Sequence, residues 1–226
     1  TNILASDHDF QHVISMRKFE RTLTFRGCYL HVYAGCPVRQ VALECASQGL
    51  SGMEFLIGIP GLLGGAITMN AGYFGHDISQ RLDEITFLTV DGELLSINDF
   101  KFKRRYCSVQ EMEGAIVAGK FRLDKSCEAE VRGVLEEYTQ RRKATQPLGH
   151  PSAGGIFKNH SLLPKILPYL EKTRIGDAEI CMSAPNWILN KGKATFNDVM
   201  QLIRNLQTLA KERLNENLEL EIKVLP

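Results

Sequence analysis

The segment from Gly52 to Gly75 carries the residue types most suited to chemistry. It reads GMEFLIGIPGLLGGAITMNAGYFG, with seven glycines and little charge. Glycine lets backbone N–H groups approach a pyrophosphate closely, and ordering such a loop costs folding free energy that a bound ligand could recover. The G-x-G-x-x-G dinucleotide fingerprint is absent, so the residues alone leave two interpretations open, a ligand-binding loop or a structural turn.

Several charged or polar side chains elsewhere belong to residue types that binding and catalytic sites commonly use. The basic run KFKRR ends at Arg105, and Glu221 lies in the closing segment LELEIKVL, on a charged face set by strand alternation. Lys158 supplies a point charge for a phosphate, and Asn159 can both donate and accept hydrogen bonds. By pattern alone, the KFKRR run and the face that carries Glu221 are more often ordinary solvated surface, and Lys158 and Asn159 could equally be ordinary surface residues.

Charge balance and cysteine spacing argue against several classes of function. Lys and Arg total 27 against 26 Asp and Glu, which leaves no broad basic field for nucleic-acid binding. The six cysteines include no C-x-x-C pair, so no disulfide framework or metal site is predicted, and the thiols are expected mostly in the core. No apolar run approaches a membrane span and the first ten residues do not resemble a signal peptide, so we expect a cytoplasmic protein that does not contact membranes.

The elements that must position these residues mix strands and helices. Short strands are predicted within residues 12–33. A helix is predicted to begin at Pro37 and to stop at Gly49, because its apolar residues fall on one face. Residues 52–75 are predicted to form a buried, tightly turned loop.

A hairpin is predicted over residues 84–97, where Asp91-Gly92 would supply the positive φ angles of a type I′ turn. A strand over 115–123 and a helix from about Cys127 to Arg142 follow. That helix ends near Thr145-Gln146-Pro147, which is the best candidate for a domain boundary along the chain.

In the last third of the chain, the residue pattern predicts a leucine-rich helix near 161–171 and a strand at 186–190. A long helix over 196–215 follows, with Thr195 and Asp198 as its N-terminal cap. The alternation in LELEIKVL predicts a final, half-buried strand. The coarse interpretation is an α+β protein in two domains.

The glycine-rich segment resembles the FAD-binding segment of the UDP-N-acetylenolpyruvoylglucosamine reductase family, whose pattern is close to GLEfl-GIPG-vGGA--MNAGaYG. Other stretches are similar to further motifs of that family: TNIL to its flavin loop, RRKATQPLGHPSAGGIFKN to RR-tQPl-qPSAGSvFKNP, NWILNKGKAT to NFIvN-g-AT and LELEIKVL to LE-Ev-llG. The resemblance covers essentially the whole chain. The short stretch between Leu123 and Gln146 is similar to the shorter of the family's two subtypes.

The resemblance implies a two-part architecture. A FAD-binding domain of the flavin oxidase/reductase (PCMH-like) type is expected over residues 1–123, and a smaller α+β substrate-binding domain over 124–226. FAD and NADPH are the implied cofactors, and a UDP-sugar enolpyruvyl ether is the implied substrate. Because the family carries several further tens of residues upstream, we expect this 226-residue chain to be an N-terminally truncated copy that holds flavin weakly.

The resemblance also implies which residues form the sites. Arg105 aligns with the arginine of the family's F-x-Y-R-x-S motif, Glu221 with its catalytic glutamate, and Lys158 and Asn159 are implied substrate contacts. The implied cofactor-binding residues are Thr1, Asn2, Ile3, Gly58, Ile59, Pro60, Gly61, Gly64, Gly65, Ala66, Asn70, Ala71 and Gly72.

The implied reaction passes hydride from NADPH through the flavin to the enol ether of UDP-N-acetylglucosamine enolpyruvate, and leaves carbanion character beside a carboxylate. Fixed positive charge must hold that species and a proton must be supplied. An arginine suits the first task because its planar fork binds carboxylates and stays protonated. The resemblance implies Arg105 for this task, and Glu221 for stabilising or protonating the intermediate.

One position departs sharply from the family. Gly155 stands where the family has its proton-donating Ser or Cys, and Arg104 and Cys107 replace a Tyr and a Ser beside Arg105. A positioned general acid contributes about 10²–10⁴ in rate, part of which a water or Glu221 could restore. We therefore expect a slower or rewired enzyme, in which Ser at position 155 raises turnover.

Three functions are consistent with these residues. The first is NADPH-dependent, FAD-mediated reduction of UDP-N-acetylglucosamine enolpyruvate to UDP-N-acetylmuramate for peptidoglycan. The second is a catalytically silent relative that binds flavin or a UDP-sugar, which Gly155 favours. The third is a different flavin oxidoreductase on the same scaffold. Arg105, Glu221 and the Lys158-Asn159 pair favour the first.

Overall fold

A computed structural model describes residues 2–8, 10 and 12–226, and its mixture of helices and strands confirms the predicted α+β class. The backbone divides into two compact units. One runs from Val13 to Arg142, and the other combines the residues up to His12 with Lys143–Pro226. Each unit has its own buried apolar cluster.

Most of the elements are short. The strands are β1 (Ile3–Ala5), β2 (Leu23–Arg26), β3 (Tyr29–Tyr33), β4 (Leu50–Ser51), β5 (Gly72–Tyr73), β6 (His76–Asp77), β7 (Leu82–Thr89), β8 (Leu94–Ile97), β9 (Phe102–Lys103), β10 (Tyr106–Cys107), β11 (Gly114–Arg122), β12 (Asp124–Lys125), β13 (Ser152–Gly155), β14 (Arg174–Ile175), β15 (Ala178–Ile180), β16 (Trp187–Asn190) and β17 (Lys223–Leu225). The α-helices are α1 (Val38–Ser47), α2 (Leu63–Thr68), α3 (Glu128–Thr145), α4 (Leu163–Ile166) and α5 (Phe196–Leu214). Single 3₁₀ turns span Met16–Lys18, Glu54–Gly58, Ile78–Gln80, Ser108–Glu111, His160–Leu162 and Leu167–Tyr169.

The Val13–Arg142 unit is built on an antiparallel sheet with the strand order β2-β3-β11-β7-β8. Helix α1 buries the apolar face that its sequence predicts, at Val38, Val41, Ala42, Cys45 and Ala46. Helix α2 lies directly on bare backbone of β11, because a Cβ added to Gly119 would come 2.9 Å from Cδ1 of Ile67. The apolar faces of both helices contribute to the same core cluster.

The hairpin β7–β8 forms where the sequence predicts it, but the turn type differs from the prediction. Gly92 has φ +86°, whereas Asp91 is not among the residues with positive φ. The N–H of Thr89 donates to the carbonyl of Glu93 (2.9 Å), so three residues form the loop. A three-residue loop needs a left-handed conformation only at its final glycine, whereas a type I′ turn needs it at both central positions.

The prediction of an irregular loop over residues 52–75 is wrong in part. Burial is confirmed, since Met53, Phe55 and Leu56 are almost fully enclosed. Helix α2 forms inside the segment despite its two adjacent glycines, because Leu63, Ala66 and Ile67 point together into the core. Tertiary burial therefore outweighs the low helix propensity of glycine at this place.

The two compact units divide at Arg142/Lys143, beside Thr145-Gln146-Pro147. Helix α3 joins the first unit because Val131 and Leu135 are buried in its core. The N-terminal residues join the second unit because β1 pairs in parallel with β17, with Ile3 opposite Lys223. The assignment of flavin and substrate binding to two separate domains stays a prediction.

The second unit has a four-stranded sheet of order β13-β16-β15-β14. Helix α5 is capped as predicted by reciprocal bonds between Thr195 and Asp198, and its buried face is formed by Leu202, Ile203, Leu206 and Ala210. The leucine-rich helix predicted near 161–171 is instead broken into 3₁₀ turns around α4. Pro168 lacks the N–H that a continuous helix needs at that position.

The closing segment is a strand only from Lys223 to Leu225. The predicted alternation is nevertheless visible before it, because Leu218 and Ile222 are buried while Glu219 is exposed. Among the helices of the described residues, none combines the length and the hydropathy of a membrane span.

Candidate functional site

The glycine-rich segment is fixed by backbone hydrogen bonds to the start of α1. The N–H of Leu63 donates to the carbonyl of Cys36 (2.9 Å), and the N–H of Gly64 donates to that of Ala34 (3.0 Å). The carbonyl of Gly61 accepts a bond from Val38 (3.1 Å). Gly61 has φ +128°, a conformation that favours glycine. The segment is therefore held at several points of its backbone.

The glycines of this segment serve two different purposes. A Cβ on Gly58 would come 2.7 Å from Cδ of Arg142, and one on Gly72 would come 2.6 Å from Cβ of Asp77. Gly72 needs glycine because backbone of His76 and Asp77 occupies the space, whereas a side chain at position 58 would require only the Arg142 side chain to move. A Cβ on Gly65 would meet nothing within 4 Å, and Gly65 is exposed. Backbone at Gly65 is therefore open to a ligand.

The remaining cofactor-binding candidates of the segment differ in exposure. Ala66 and Ala71 are buried, Ile59 is half-buried and Pro60 is exposed. Asn70 is buried in a left-handed conformation (φ 39°). Its Nδ2 donates to the carbonyl of Lys103 (3.3 Å), and its Oδ1 accepts from the N–H of Ser79 (3.0 Å). The Asn70 side chain thus ties three parts of the unit together.

Arg105 lies at the turn between β9 and β10, close to the glycine-rich segment. Its Nη1 donates to the carbonyl of Gly72 at 3.5 Å. Its backbone has φ 59°, in the left-handed region that costs a non-glycine residue roughly 1–2 kcal/mol. Strained backbone of this kind is concentrated at functional sites. The structure thus brings together Arg105 and the segment predicted to bind FAD.

Gln110 is a residue that the sequence analysis missed. Its Nε2 donates to the carbonyl of Thr68 (2.5 Å) at the end of α2 and to that of Arg105 (3.4 Å). It therefore links the helix of the glycine-rich segment to the Arg105 turn. Thr68 and Gln110 are separated by 42 positions, and no local pattern marks a pair so distant in sequence.

An aromatic and cationic cluster lies beside the same segment. Phe74 stacks on Tyr138 with ring centroids 4.2 Å apart, and the guanidinium of Arg141 lies 5.6 Å from the Phe74 ring centre. Burial lowers the pKa of Arg142, and the nearby Tyr73 opposes that effect. The cluster joins α3 to the segment and explains why α3 belongs to this unit.

In the other unit, Gly155 and Glu221 lie on neighbouring backbone. The N–H of Glu221 donates to the carbonyl of Ile156 (2.7 Å), and Phe157 forms an antiparallel bridge with Leu220. The N–H of Lys158 donates to the carbonyl of Glu219 (2.9 Å). The segment predicted to carry the proton donor therefore runs beside the segment that carries the predicted catalytic glutamate.

The two predicted substrate contacts differ in their surroundings. Nζ of Lys158 lies 3.8 Å from a carboxylate oxygen of Glu219, and both side chains are exposed. Surface pairs of this kind contribute little, so the ammonium can bind a phosphate at low cost. Asn159 is engaged by backbone, since its Nδ2 donates to Asn217 (2.7 Å) and its Oδ1 accepts from Glu219 (3.0 Å).

We expect Asn159→Ala to lower the free energy of unfolding by about 1–3 kcal/mol, because two hydrogen bonds are lost and each contributes about 0.5–1.5 kcal/mol net. Urea unfolding of the protein and the variant measures this difference. Lys158→Ala is the matched control and is expected to change stability by less than about 1 kcal/mol. Equal stability of Asn159→Ala and the unsubstituted protein would contradict the structural role.

Asn2 and Ile3 lie beside the same region. Asn2 has φ 62°, its N–H donates to the carbonyl of Ala153 (3.1 Å), and its Nδ2 donates to that of Glu221 (3.1 Å). Ile3 pairs with Lys223. The Thr1 prediction lies outside the described residues. These contacts place two predicted flavin-loop residues beside a predicted catalytic residue.

Asn186 is a second residue that the sequence analysis did not single out. Its Oδ1 accepts from the N–H of Phe157 (2.8 Å), and its Nδ2 donates to the carbonyl of the same residue (3.0 Å). A Cβ added to Gly155 would lie 2.9 Å from that Nδ2. The NWILN motif contains Asn186, but the sequence alone does not pair it with Gly155.

The cysteines are mostly buried, as predicted: Cys36, Cys45, Cys107 and Cys181 are buried, Cys28 is half-buried and Cys127 is exposed. Burial raises the pKa of Cys36 to about 11, and the carboxylate of Glu44 adds to the shift while Arg21 opposes it. In the unfolded chain the same thiol loses its proton near its ordinary value of 9.0.

The raised pKa of Cys36 predicts that stability falls as the pH rises from about 9 to about 11. In that window the unfolded state has already lost the proton that the folded state keeps, so deprotonation favours unfolding. Urea unfolding at a series of alkaline pH values measures the slope. Cys36→Ala should show a shallower decline than the unsubstituted protein, and equal declines would contradict the prediction.

Comparisons with known proteins match both parts of the chain. Residues 146–225 match the family model described as the C-terminal domain of UDP-N-acetylenolpyruvoylglucosamine reductase, and residues 1–98 match a model described as an FAD-binding domain. The first model includes Gly155, Lys158 and Glu221, and the second includes the whole glycine-rich segment.

Individual relatives agree with these matches. The chain is 33% identical to the UDP-N-acetylenolpyruvoylglucosamine reductase of Caldanaerobacter subterraneus subsp. tengcongensis over 100% of its own length and 76% of the relative. It is 35% identical to that of Halalkalibacterium halodurans, over 100% of its length and 77% of the relative. The crystal structure of the Thermus caldophilus enzyme matches with a TM-score of 0.79 and 27% identity, covering 100% of this chain and 82% of that one.

Proposed function

Because the chain belongs to the UDP-N-acetylenolpyruvoylglucosamine reductase family, we propose that it reduces UDP-N-acetylglucosamine enolpyruvate to UDP-N-acetylmuramate with NADPH, using bound FAD. The observation that carries the proposal is the match to named reductases over the complete chain. The product is a precursor of peptidoglycan, and the proposed location is the cytoplasm.

The residues of the glycine-rich segment fit an FAD. Gly61 and Gly65 present exposed backbone without side chains, and the space where a Cβ of Gly65 would lie is open. Bare backbone N–H groups suit a pyrophosphate, which this cofactor carries. We infer that this segment holds the cofactor. When bound, FAD supplies the relay of hydride from NADPH to the substrate.

Arg105 and Glu221 have the proposed catalytic roles. Arg105 holds a fixed positive charge beside the glycine-rich segment, and its guanidinium can bind the substrate carboxylate and stabilise the negative charge that develops next to it. Glu221 can stabilise the intermediate or deliver a proton to it. Lys158 attracts a phosphate of the UDP group as a point charge.

Gly155 removes the side-chain proton donor that the family motif carries at this position. The proton must then come from Glu221 or from a water, and we expect turnover to be slower than in a relative with Ser there. This glycine is also the observation that favours the second candidate function, a silent relative that binds flavin or a UDP-sugar without reducing the substrate.

The test is to purify the protein as expressed, record its visible absorption in the flavin bands, and follow NADPH oxidation with and without UDP-N-acetylglucosamine enolpyruvate. UDP-N-acetylglucosamine, which lacks the enolpyruvyl group, is the matched control substrate. Oxidation that depends on the enolpyruvyl substrate supports the reductase. A yellow protein without such activity supports the silent relative. A protein that stays colourless after FAD is added and unbound FAD is removed contradicts the flavin assignment.

A further inference from the structure

The backbone from Gly155 to Lys158 is held from two sides within its unit. On one side, the carbonyl of Ile156 accepts a hydrogen bond from the N–H of Glu221, and the N–H of Lys158 donates to the carbonyl of Glu219. On the other side, the segment is held by Asn186, the residue directly before β16. The side chains of Ile156 and Phe157 are buried, so small displacements of this segment would disturb the core as well.

Asn186 makes three hydrogen bonds to two consecutive residues of the segment. Its backbone carbonyl accepts from the N–H of Ile156 (2.8 Å). Its carboxamide accepts from the N–H of Phe157 (2.8 Å) and donates to the carbonyl of Phe157 (3.0 Å). The side chain of Asn186 thereby satisfies both the N–H and the carbonyl of buried Phe157. Each of these two groups would cost about 1–3 kcal/mol of stability if it were left without a partner.

The pairing of β13 with β16 is irregular where Asn186 acts. Ser152 lies opposite Leu189 and Gly155 lies opposite Trp187, so β13 has one residue more than its partner between these pairs. Gly154, inside the irregular stretch, has φ +91°. Bulges of this kind redirect a strand, and regular ladder bonds no longer set its register. The contacts of Asn186 supply that register directly after the bulge.

The carboxamide of Asn186 also occupies space beside Gly155. A Cβ on Gly155 would lie 2.9 Å from Nδ2 of Asn186, closer than real Cβ contacts allow. That nitrogen is held by its bond to Phe157, so it cannot move aside without breaking a hydrogen bond. Position 155 can therefore carry a side chain only if Asn186 shifts.

We propose that Asn186 is a positioning residue of the active site that sets the register of Gly155–Phe157 against the Glu221 segment, and that it is sterically coupled to Gly155. This inference rests on the reductase activity proposed above. A carboxamide N–H is not acidic at neutral pH, so Asn186 acts through Phe157 and not as the missing proton donor.

The first test compares Asn186→Ala with Asn190→Ala. Asn190 is the matched control because its Oδ1 also accepts two backbone bonds, from Gly192 (2.9 Å) and Ala194 (3.0 Å), at the other end of β16. We expect Asn186→Ala to lower kcat by about tenfold or more with KM changed less than about threefold, and Asn190→Ala to leave kcat within about twofold. Equal kcat losses in both variants would overturn the positioning role.

Asn186→Asp tests the carboxamide more finely. The carboxylate accepts from Phe157 N–H as before, but it cannot donate to the Phe157 carbonyl until it is protonated. We expect the ratio of its kcat to that of the unsubstituted protein to rise as the pH falls towards the ordinary range of an aspartate. A ratio independent of pH would contradict a role of the Nδ2 donor.

A double-mutant cycle tests the coupling to Gly155. In the unsubstituted background, the clash of the introduced serine with Asn186 is expected to reduce, but not to cancel, the gain in turnover that the hydroxyl of Gly155→Ser provides. In the Asn186→Ala background the clash is absent, so we expect the effect of Gly155→Ser on kcat/KM to be at least about fivefold more favourable. Effects that simply multiply would overturn the coupling.

Thermal unfolding separates failure of this inference from failure of the proposed function. Gly155→Ala should lower Tm in the unsubstituted protein and lower it less in Asn186→Ala, whether or not the protein turns over the substrate. If this coupling appears but the unsubstituted protein is inactive, the proposed function and the positioning role fail while the steric pair stands. If Gly155→Ala lowers Tm equally in the unsubstituted protein and in Asn186→Ala, the proposed steric coupling between the two residues is wrong.

Discussion

Replacement of Arg105 by Gln is expected to lower kcat for reduction of UDP-N-acetylglucosamine enolpyruvate by about 10²–10³-fold, the loss typical of removing one group that stabilises developing negative charge. Gln keeps hydrogen-bond donors but has no charge and no planar fork for the carboxylate. Arg105→Lys keeps the charge and should lose less. Steady-state NADPH oxidation at saturating substrate measures these differences.

Two controls separate this effect from a folding defect. Arg122→Gln removes a guanidinium from an exposed position on β11 and should leave kcat within about twofold. Arg105→Gly removes the side chain and also relieves the left-handed strain at φ 59°, so it should be inactive without being less stable. If Arg105→Gln retained full activity, the assignment of Arg105 to the reacting carboxylate would be wrong.

Replacement of Glu221 by Gln is the second change with a large expected effect, a fall in kcat of about 10²–10⁴-fold. We expect the loss to lie towards the upper end of this range, because Gly155 leaves no side-chain donor to share the task. The fold should persist, since the contact of Glu221 with Ile156 is made by backbone N–H and survives the substitution. Parallel assays of NADPH oxidation and product formation measure the loss.

Glu219→Gln is the matched control for Glu221→Gln. The two residues are two positions apart, and the Glu219 side chain is 68% exposed and paired only loosely with Lys158 (3.8 Å). We expect it to keep kcat within about twofold, with at most a modest change in KM through Lys158. A similar loss in both variants would indicate a general charge effect of the closing segment, and Glu221 would have no special role.

Local patterns were enough to predict several elements of the fold. The one-sided apolar spacing of α1, the hairpin at Gly92 and the Thr195–Asp198 cap of α5 each depend on residues within a few positions of one another. Such features depend on backbone conformation and on neighbours within the same element, so they can be recognised in the linear sequence.

The elements predicted wrongly or missed depend on distant parts of the chain. Helix α2 forms across two glycines because the core accepts its apolar face, and β1 is paired by β17 from the opposite end of the sequence. The division into compact units at Arg142/Lys143 likewise depends on where the side chains of α3 are buried, which local sequence does not record.

The sequence motifs by themselves carried the resemblance to the family, because that resemblance depends on residue types at short, specific spacings. The resemblance in turn implied the flavin and NADPH chemistry and the candidate residues Arg105 and Glu221. Only the tertiary structure decided what the candidates contact. It shows that the Asn70 and Asn159 side chains are engaged by backbone groups, and that Asn186 fills the space beside Gly155. Contacts between residues 29 or 58 positions apart arise from packing and strand pairing, which no spacing in the linear sequence records.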